Sequence, residues 1–231
     1  MSFRAGSSGT VRVGKVPFFM NAFISRMIGS FQRVAPDIRV DQTYGNQPDL
    51  HADLRSGQID LAICPTGLML PGTDIAFTEI LPARNVVAAS NRHPLIQKRR
   101  PTSVDVLNYP WIAPLPGSPL LADLHSILLS IGMKEVQIRY SGGSLLSVMN
   151  YLQETDALTV LPHSVVFAYR TLGQIQTIPI QFPQPDRALG IMQIAGAPQI
   201  PAAEKLKRYI FGEFEELKVA IQRHENAVVW G

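Results

Sequence analysis

One short stretch combines residue types able to grip an anion. In Ser141-Gly142-Gly143-Ser144 a glycine pair separates an alternating run (136–140) from a helical apolar pattern that begins at Leu145. A glycine turn lets backbone approach a ligand with no Cβ in the way, and it aims the free N–H groups of the following helix outward. Those donors and the positive end of the helix dipole favour a carboxylate or other anion. Gly45-Asn46-Gln47-Pro48 is another turn ahead of a helix, whose Pro48 suits a helical first turn with Asn46 or Gln47 as cap. Both stretches also have a plainer reading, in which Asn46 and Ser144 only cap their own helices.

Catalytic chemistry finds little footing. No G-x-S-x-G elbow is present, and Ser118 and Ser144 lack its context. The histidines His51, His93, His125, His163 and His224 are dispersed without metal-ligand spacing, and no second cysteine joins Cys64. Cys64, just after a buried strand, reads as an inert thiol at the edge of a core. Asp49, Asp60 and Asp123 read as helix-end or turn residues. The expectation is a non-enzyme with no metal and no cofactor.

The elements that must position these turns follow from periodicity. Thr10-Val11-Arg12-Val13-Gly14 alternates as a strand and runs into the loop Lys15-Val16-Pro17. Met20, Ile24, Met27, Ile28, Phe31 and Val34 make a helical stripe ended by Pro36. A second strand around Ile38 and Val40, a helix through Leu50 and Leu54 closed by Gly57, and the apolar run Leu61-Ala62-Ile63 come next. Strand and helix alternating with short connections predict a parallel sheet with right-handed crossovers. Asn85-Val86-Val87-Ala88-Ala89-Ser90 is another strand, and Trp111-Ile112-Ala113 opens a second βα series. That series continues with a helix capped by Ser118-Pro119, the glycine turn, a helix through Leu152, a buried strand at 157–161 and a helix from Pro162-His163-Ser164. The run 175–180 reads as an edge strand and 187–194 as a further strand. Pro201 opens a long helix with the stripe Leu206, Ile210, Phe214, Leu217 and Ile221.

Composition bounds the classes. At 231 residues, 46% hydrophobic and 17% charged, the chain fits one large or two smaller α/β domains of ordinary soluble type. No apolar run reaches bilayer length, and the amino terminus lacks the apolar core of a signal peptide. The excess of 21 Lys+Arg over 18 Asp+Glu gives +3, too small and scattered for a phosphate-tracking surface. A single cysteine excludes an internal disulfide and suits a reducing, cytoplasmic setting.

Several segments now stand in a telling order. The strand 9–14, the step Ala35-Pro36-Asp37-Ile38, the segment Leu54-Arg55-Ser56-Gly57-Gln58-Ile59-Asp60-Leu61-Ala62-Ile63, then His93-Pro94-Leu95 and finally Ala157-Leu158-Thr159-Val160-Leu161-Pro162 resemble the effector-binding domain of LysR-type transcriptional regulators. The resemblance runs from about Gly9 to Leu217. It implies an α/β fold of two Rossmann-like subdomains joined by two crossover strands, periplasmic-binding-protein-like (type 2). Subdomain I would comprise 9–88 plus 187–231, subdomain II 89–186, and 1–8 would be a linker remnant of a regulator whose DNA-binding domain is missing.

By the same resemblance a small effector, expected to be anionic and carboxylate-bearing, binds between the lobes. It would touch Val16, Pro17 and Phe18, then Gly45 and Asn46, then Gly142, Gly143 and Ser144. The first loop departs from the family, where a hydroxyl residue often meets the effector carboxylate; Lys15 could supply charge there, though a solvated lysine is expected. The resemblance also implies a homodimer, built on the first helix and the helix following Ser118, and a tetramer in the full-length protein. DNA contact would come only through the missing domain, and no membrane is involved. A solute-binding protein of a transport system is the alternative of the same plan.

Overall fold

The computed structural model describes residues 8–17, 21–66, 72–116, 118–133, 137–142, 144–184 and 186–230. The chain divides into two compact units, Met1–Pro82 with Arg187–Val219 and Ala83–Asp186 with Ala220–Gly231.

In unit 1, β1 (Gly9–Lys15) pairs in parallel with β2 (Ile38–Tyr44) and β3 (Leu61–Pro65), as the short crossovers predict. Two further strands are antiparallel: β10 (Ala188–Ile194) lies between β3 and β4 (Ile75–Pro82), giving the order β2-β1-β3-β10-β4. β4 was not legible as a strand, because a register shift opposite Leu189/Gly190 breaks its alternation.

The apolar stripe of α1 (Asn21–Val34) is buried at Ile24, Met27 and Phe31. Phe31 meets Tyr209 and Phe23 meets Phe214 on α7 (Pro201–Glu225), with ring centroids 5.5 and 6.4 Å apart. α2 (Gln47–Arg55) buries Leu50 and Leu54 and is followed by Gly57 at φ +69°, a conformation that costs other residues. Asp60 then locks the turn: it accepts from the Arg12 backbone N–H at 2.7 Å and pairs with the Arg12 guanidinium at 2.5 Å. The motif that carried the resemblance is therefore a helix stop followed by a clamp onto β1.

Unit 2 repeats this plan. β6 (Trp111–Ala113) pairs in parallel with β7 (Ile138–Ser141) and is bridged to Leu158, beside β8 (Thr159–Pro162). β8 pairs with β5 (Asn85–Ser90), and β5 with the edge strand β9 (Ile175–Thr177), so a three-stranded sheet β8-β5-β9 lies beside the β6-β7 pair, the two linked by the isolated Trp111–Leu158 bridge. Trp111, fully buried, packs in a core with Val87, Leu124, Leu128, Leu158 and Val160. The helices are α3 (Pro94–Gln97), α4 (Pro119–Ser130), α5 (Leu145–Glu154) and α6 (His163–Tyr169). α3 is an addition to the elements legible in the sequence; the His93 ring accepts from the Leu95 N–H at 3.1 Å and starts it at Pro94. Among the described residues no helix is long and apolar enough to cross a membrane.

Candidate functional site

In unit 1 the first loop and the second turn are tied together at the carboxyl ends of β1 and β2. The Gly45 N–H donates to the Lys15 carbonyl at 3.2 Å, and the Val16 N–H donates to the Ile63 carbonyl at 3.4 Å. Val16, Gly45 and Asn46 are thus neighbours by hydrogen bonding, with Pro17 next in the loop; Phe18 lies outside the described residues. Asn46 is the N-cap of α2, its Oδ1 accepting from the Asp49 N–H at 2.9 Å.

Lys15 overturns its expected solvation. It is fully buried, because β1 alternates Val11, Val13 and Lys15 onto one covered face. Its Nζ has no hydrogen-bond partner, and it lies 5.1 Å from the centroid of the Tyr44 ring on the neighbouring strand. Burial pushes the amine down to about 8. A second buried donor without a partner, Nε2 of Gln47, sits at the first position of α2. Sequence reasoning weighed Gln47 only as a cap. Nothing local in the sequence marks either side chain as buried and unsatisfied.

In unit 2 the glycine turn joins β7 to α5. The Gly142 N–H donates to the Ala113 carbonyl at 3.0 Å, and φ +79° with a would-be Cβ 3.2 Å from Leu115 Cδ2 demands glycine. Ser144 caps α5, its Oγ accepting from the Ser147 N–H at 3.2 Å and lying 3.0 Å from Ser147 Oγ. Ser144 is exposed; its Oγ accepts from the Ser147 N–H, and either hydroxyl of the Ser144–Ser147 pair can be the donor. Gly143 lies outside the described residues.

The other candidates resolve structurally. Cys64 is buried, donates to Met192 Sδ at 3.5 Å, and has its thiol pushed up to about 12 by burial, so little nucleophilic thiolate forms. Asp123 is a buried mid-helix acid rather than an end residue, accepting from Asn85 Nδ2 at 2.7 Å. His163 and His224, 61 positions apart, meet at 3.0 Å between Nε2 and Nδ1. Among the described residues no group of three His, Cys, Asp or Glu side chains is arranged to hold a metal ion. A cavity of about 200 Å³ in unit 1 is lined by Arg12, Asp60, Gln193 and Glu204 among others, and by none of the expected effector residues.

The profile of the LysR substrate binding domain matches residues 4–215. This chain belongs to that family. Its fold is accordingly the type 2 periplasmic-binding-protein-like fold of LysR effector-binding domains. Among curated relatives, the regulator GalR of Pseudomonas putida is 27% identical over 202 residues, covering 86% of this chain and 50% of GalR. The regulator YybE of Bacillus subtilis is 23% identical, covering 90% of this chain and 69% of YybE. The LysR-type domain thus spans half to about two-thirds of these relatives, which are described as transcriptional regulators.

Solved structures of the same fold include the effector-binding domain of QuiR with shikimate (TM-score 0.68, 18% identity, 90% of this chain and 98% of that one). The Synechocystis CcmR regulatory domain with 2-PG is also similar (TM-score 0.76, 18% identity, 91% and 99%). At these identities the likeness establishes the fold of this LysR domain and leaves its ligand open.

Proposed function

We propose that this LysR-type domain senses a small anionic metabolite, expected to carry a carboxylate, and that its occupancy modulates DNA binding and transcription by the intact regulator. The family match across 4–215 is the observation that carries the reading. Val16, Pro17, Phe18, Gly45 and Asn46 form the ligand-binding set of one subdomain; Gly142, Gly143 and Ser144 form that of the other. A ligand held by both sets biases their closure, and only a difference in affinity between open and closed states shifts that balance. A hundredfold difference is worth about 2.7 kcal/mol, ample to invert a two-state equilibrium of modest bias. The intact regulator is proposed to act as a dimer or tetramer in the cytoplasm.

A thermal-shift screen of carboxylates, aromatic acids and sugar acids on wild type, Asn46→Ala and Ser144→Ala tests this. The expected result is a ligand that stabilises wild type and loses affinity in both variants. A ligand that stabilises all three equally refutes the site.

A further inference from the structure

Beneath α2, in unit 1, three soft donors converge. His51 Nε2 on α2 lies 3.2 Å from Met192 Sδ on β10, and Cys64 Sγ on β3 lies 3.5 Å from the same sulfur. Three elements thus bring an imidazole nitrogen, a thiol and a thioether to one point. As hydrogen bonds these contacts are poor, because a thioether is a weak acceptor. None of the three residues belongs to the proposed effector set.

Strand register explains how they meet. β3 and β10 run antiparallel with Cys64 opposite Gly190 and Met192 opposite Ala62, so both sulfur side chains leave one face of the sheet, diagonal to each other. Gly14 of β1 pairs with Ala62, and a Cβ on Gly14 would stand 2.6 Å from Leu50 Cδ2, so α2 packs closely on that same face. His51, one position after Leu50, reaches the sulfurs from above. Cys64 and Met192 are fully buried and His51 is half-buried, which leaves the imidazole side as the entry.

Donor chemistry and charge narrow the ion. Thiolate and thioether select copper(I), with imidazole a suitable third ligand, whereas hard cations seek carboxylates and carbonyls. Structural zinc takes four ligands. A monovalent ion with one thiolate is neutral, while a divalent ion would leave an uncompensated positive charge in a buried setting. Metal–ligand bonds of about 2.0–2.3 Å around a trigonal centre place the donors roughly 3.8–4.0 Å apart, so the Met192 sulfur has to swing by about half an ångström, which its flexible chain allows.

We propose that His51, Cys64 and Met192 form a binding site for a single copper(I) ion, held by one nitrogen and two sulfurs. As the ion binds, the Cys64 S–H bond breaks, the S–Cu bond forms and the proton leaves to solvent; no electron is transferred. No local motif announces such a site, because His51 and Cys64 stand 141 and 128 positions from Met192.

The test is anaerobic titration of this chain with copper(I) in competition with bicinchoninate, with silver(I) and zinc(II) as further probes, on wild type, Met192→Leu, His51→Gln and Cys64→Ala. Wild type should bind copper(I) at one equivalent, release a proton on binding by calorimetry in buffers of different ionisation enthalpy, and show sulfur and nitrogen scatterers by X-ray absorption. Met192→Leu conserves core volume and should weaken binding at least about tenfold, since losing even an outer partner of a metal ligand costs about ten- to a hundredfold. His51→Gln should weaken it likewise, and Cys64→Ala should abolish stoichiometric binding. Silver(I) should displace copper(I), and zinc(II) should not.

Met192→Leu and His51→Gln variants that bind copper(I) within twofold of wild type reduce the cluster to a lone thiol and overturn the proposal, whether or not Cys64→Ala folds. A urea-denatured chain that binds as tightly as the folded one overturns it in the same way. Wild type that takes up no copper(I) in the competition, or prefers zinc(II) to silver(I), leaves only sulfur packing in a core and also overturns it.

Discussion

His163 and His224 share one hydrogen bond at 3.0 Å, so one ring donates and the other accepts. Burial first, and the neighbouring His224 second, push His163 down to about 4. His224 is lowered by its own burial and by Arg170. Between the ordinary histidine value near 6.5 and the folded value near 4, the unfolded chain takes up a proton that folded His163 refuses. Stability is full above that window and falls as pH drops through it, by up to about 3 kcal/mol from this residue. Urea unfolding at pH 7, 5.5 and 4.5 should show the loss, and His163→Phe should flatten the slope. A slope unchanged in the variant would assign the acid sensitivity to other groups. Cys64 makes a second residue-scale prediction. A disulfide reagent at pH 8 should leave the native thiol unmodified for hours and react at once in denaturant, because burial holds it as the thiol.

Helix caps and turns behave as local physics requires, and their predicted costs are local too. Ser144 was legible as the cap of α5 from a small hydroxyl residue ahead of an apolar periodic run, and Asn46 as that of α2 from a turn followed by proline. Gly142→Ala should destabilise the domain by roughly 1–2 kcal/mol, the cost of a left-handed conformation, with Leu115 shifting to admit the Cβ. Gly212, exposed in α7 with open space around it, is the control: Gly212→Ala should stabilise by about 0.5–1 kcal/mol. Chemical denaturation of both variants checks the pair. What the elements hid was equally physical. β4 carries no readable alternation because a bulge interrupts its pairing, and of the run 175–180 only Ile175–Thr177 pairs as β9.

At the scale of the molecule, the two units share a plan although their sequences show no fixed repeat; in unit 2 the parallel pair and the antiparallel sheet are joined only by the Trp111–Leu158 bridge. In each, a βαβαβ series supplies the parallel strands, and a strand arriving from elsewhere in the chain pairs antiparallel with the third. α1 and α4 each leave a large apolar side chain in solvent, Val34 at 65% and Leu129 at 72% exposed. If these helices form the proposed dimer, sedimentation velocity at tens of micromolar should show a dimer, and Leu129→Glu should shift it to monomer while leaving the melting temperature near that of wild type. A wild type that stays monomeric at that concentration counts against dimerisation of this domain.

The sequence by itself determined the order and type of most elements, their caps and stops, and the family. Each of these depends on periodicity, or on residues within a few positions of one another. Tertiary structure alone decided that Lys15 is buried and unpaired, that Gln47 leaves a donor unmet, and that His163 meets His224. Alternation along β1 gives the face that Lys15 shares with Val11 and Val13, but whether a side chain at a strand end reaches water depends on what the rest of the chain lays over it. The same limit shaped the candidate site. Its turns could be read from glycine and cap chemistry, whereas the burial of the Lys15 ammonium beside them became visible only in the packed interior.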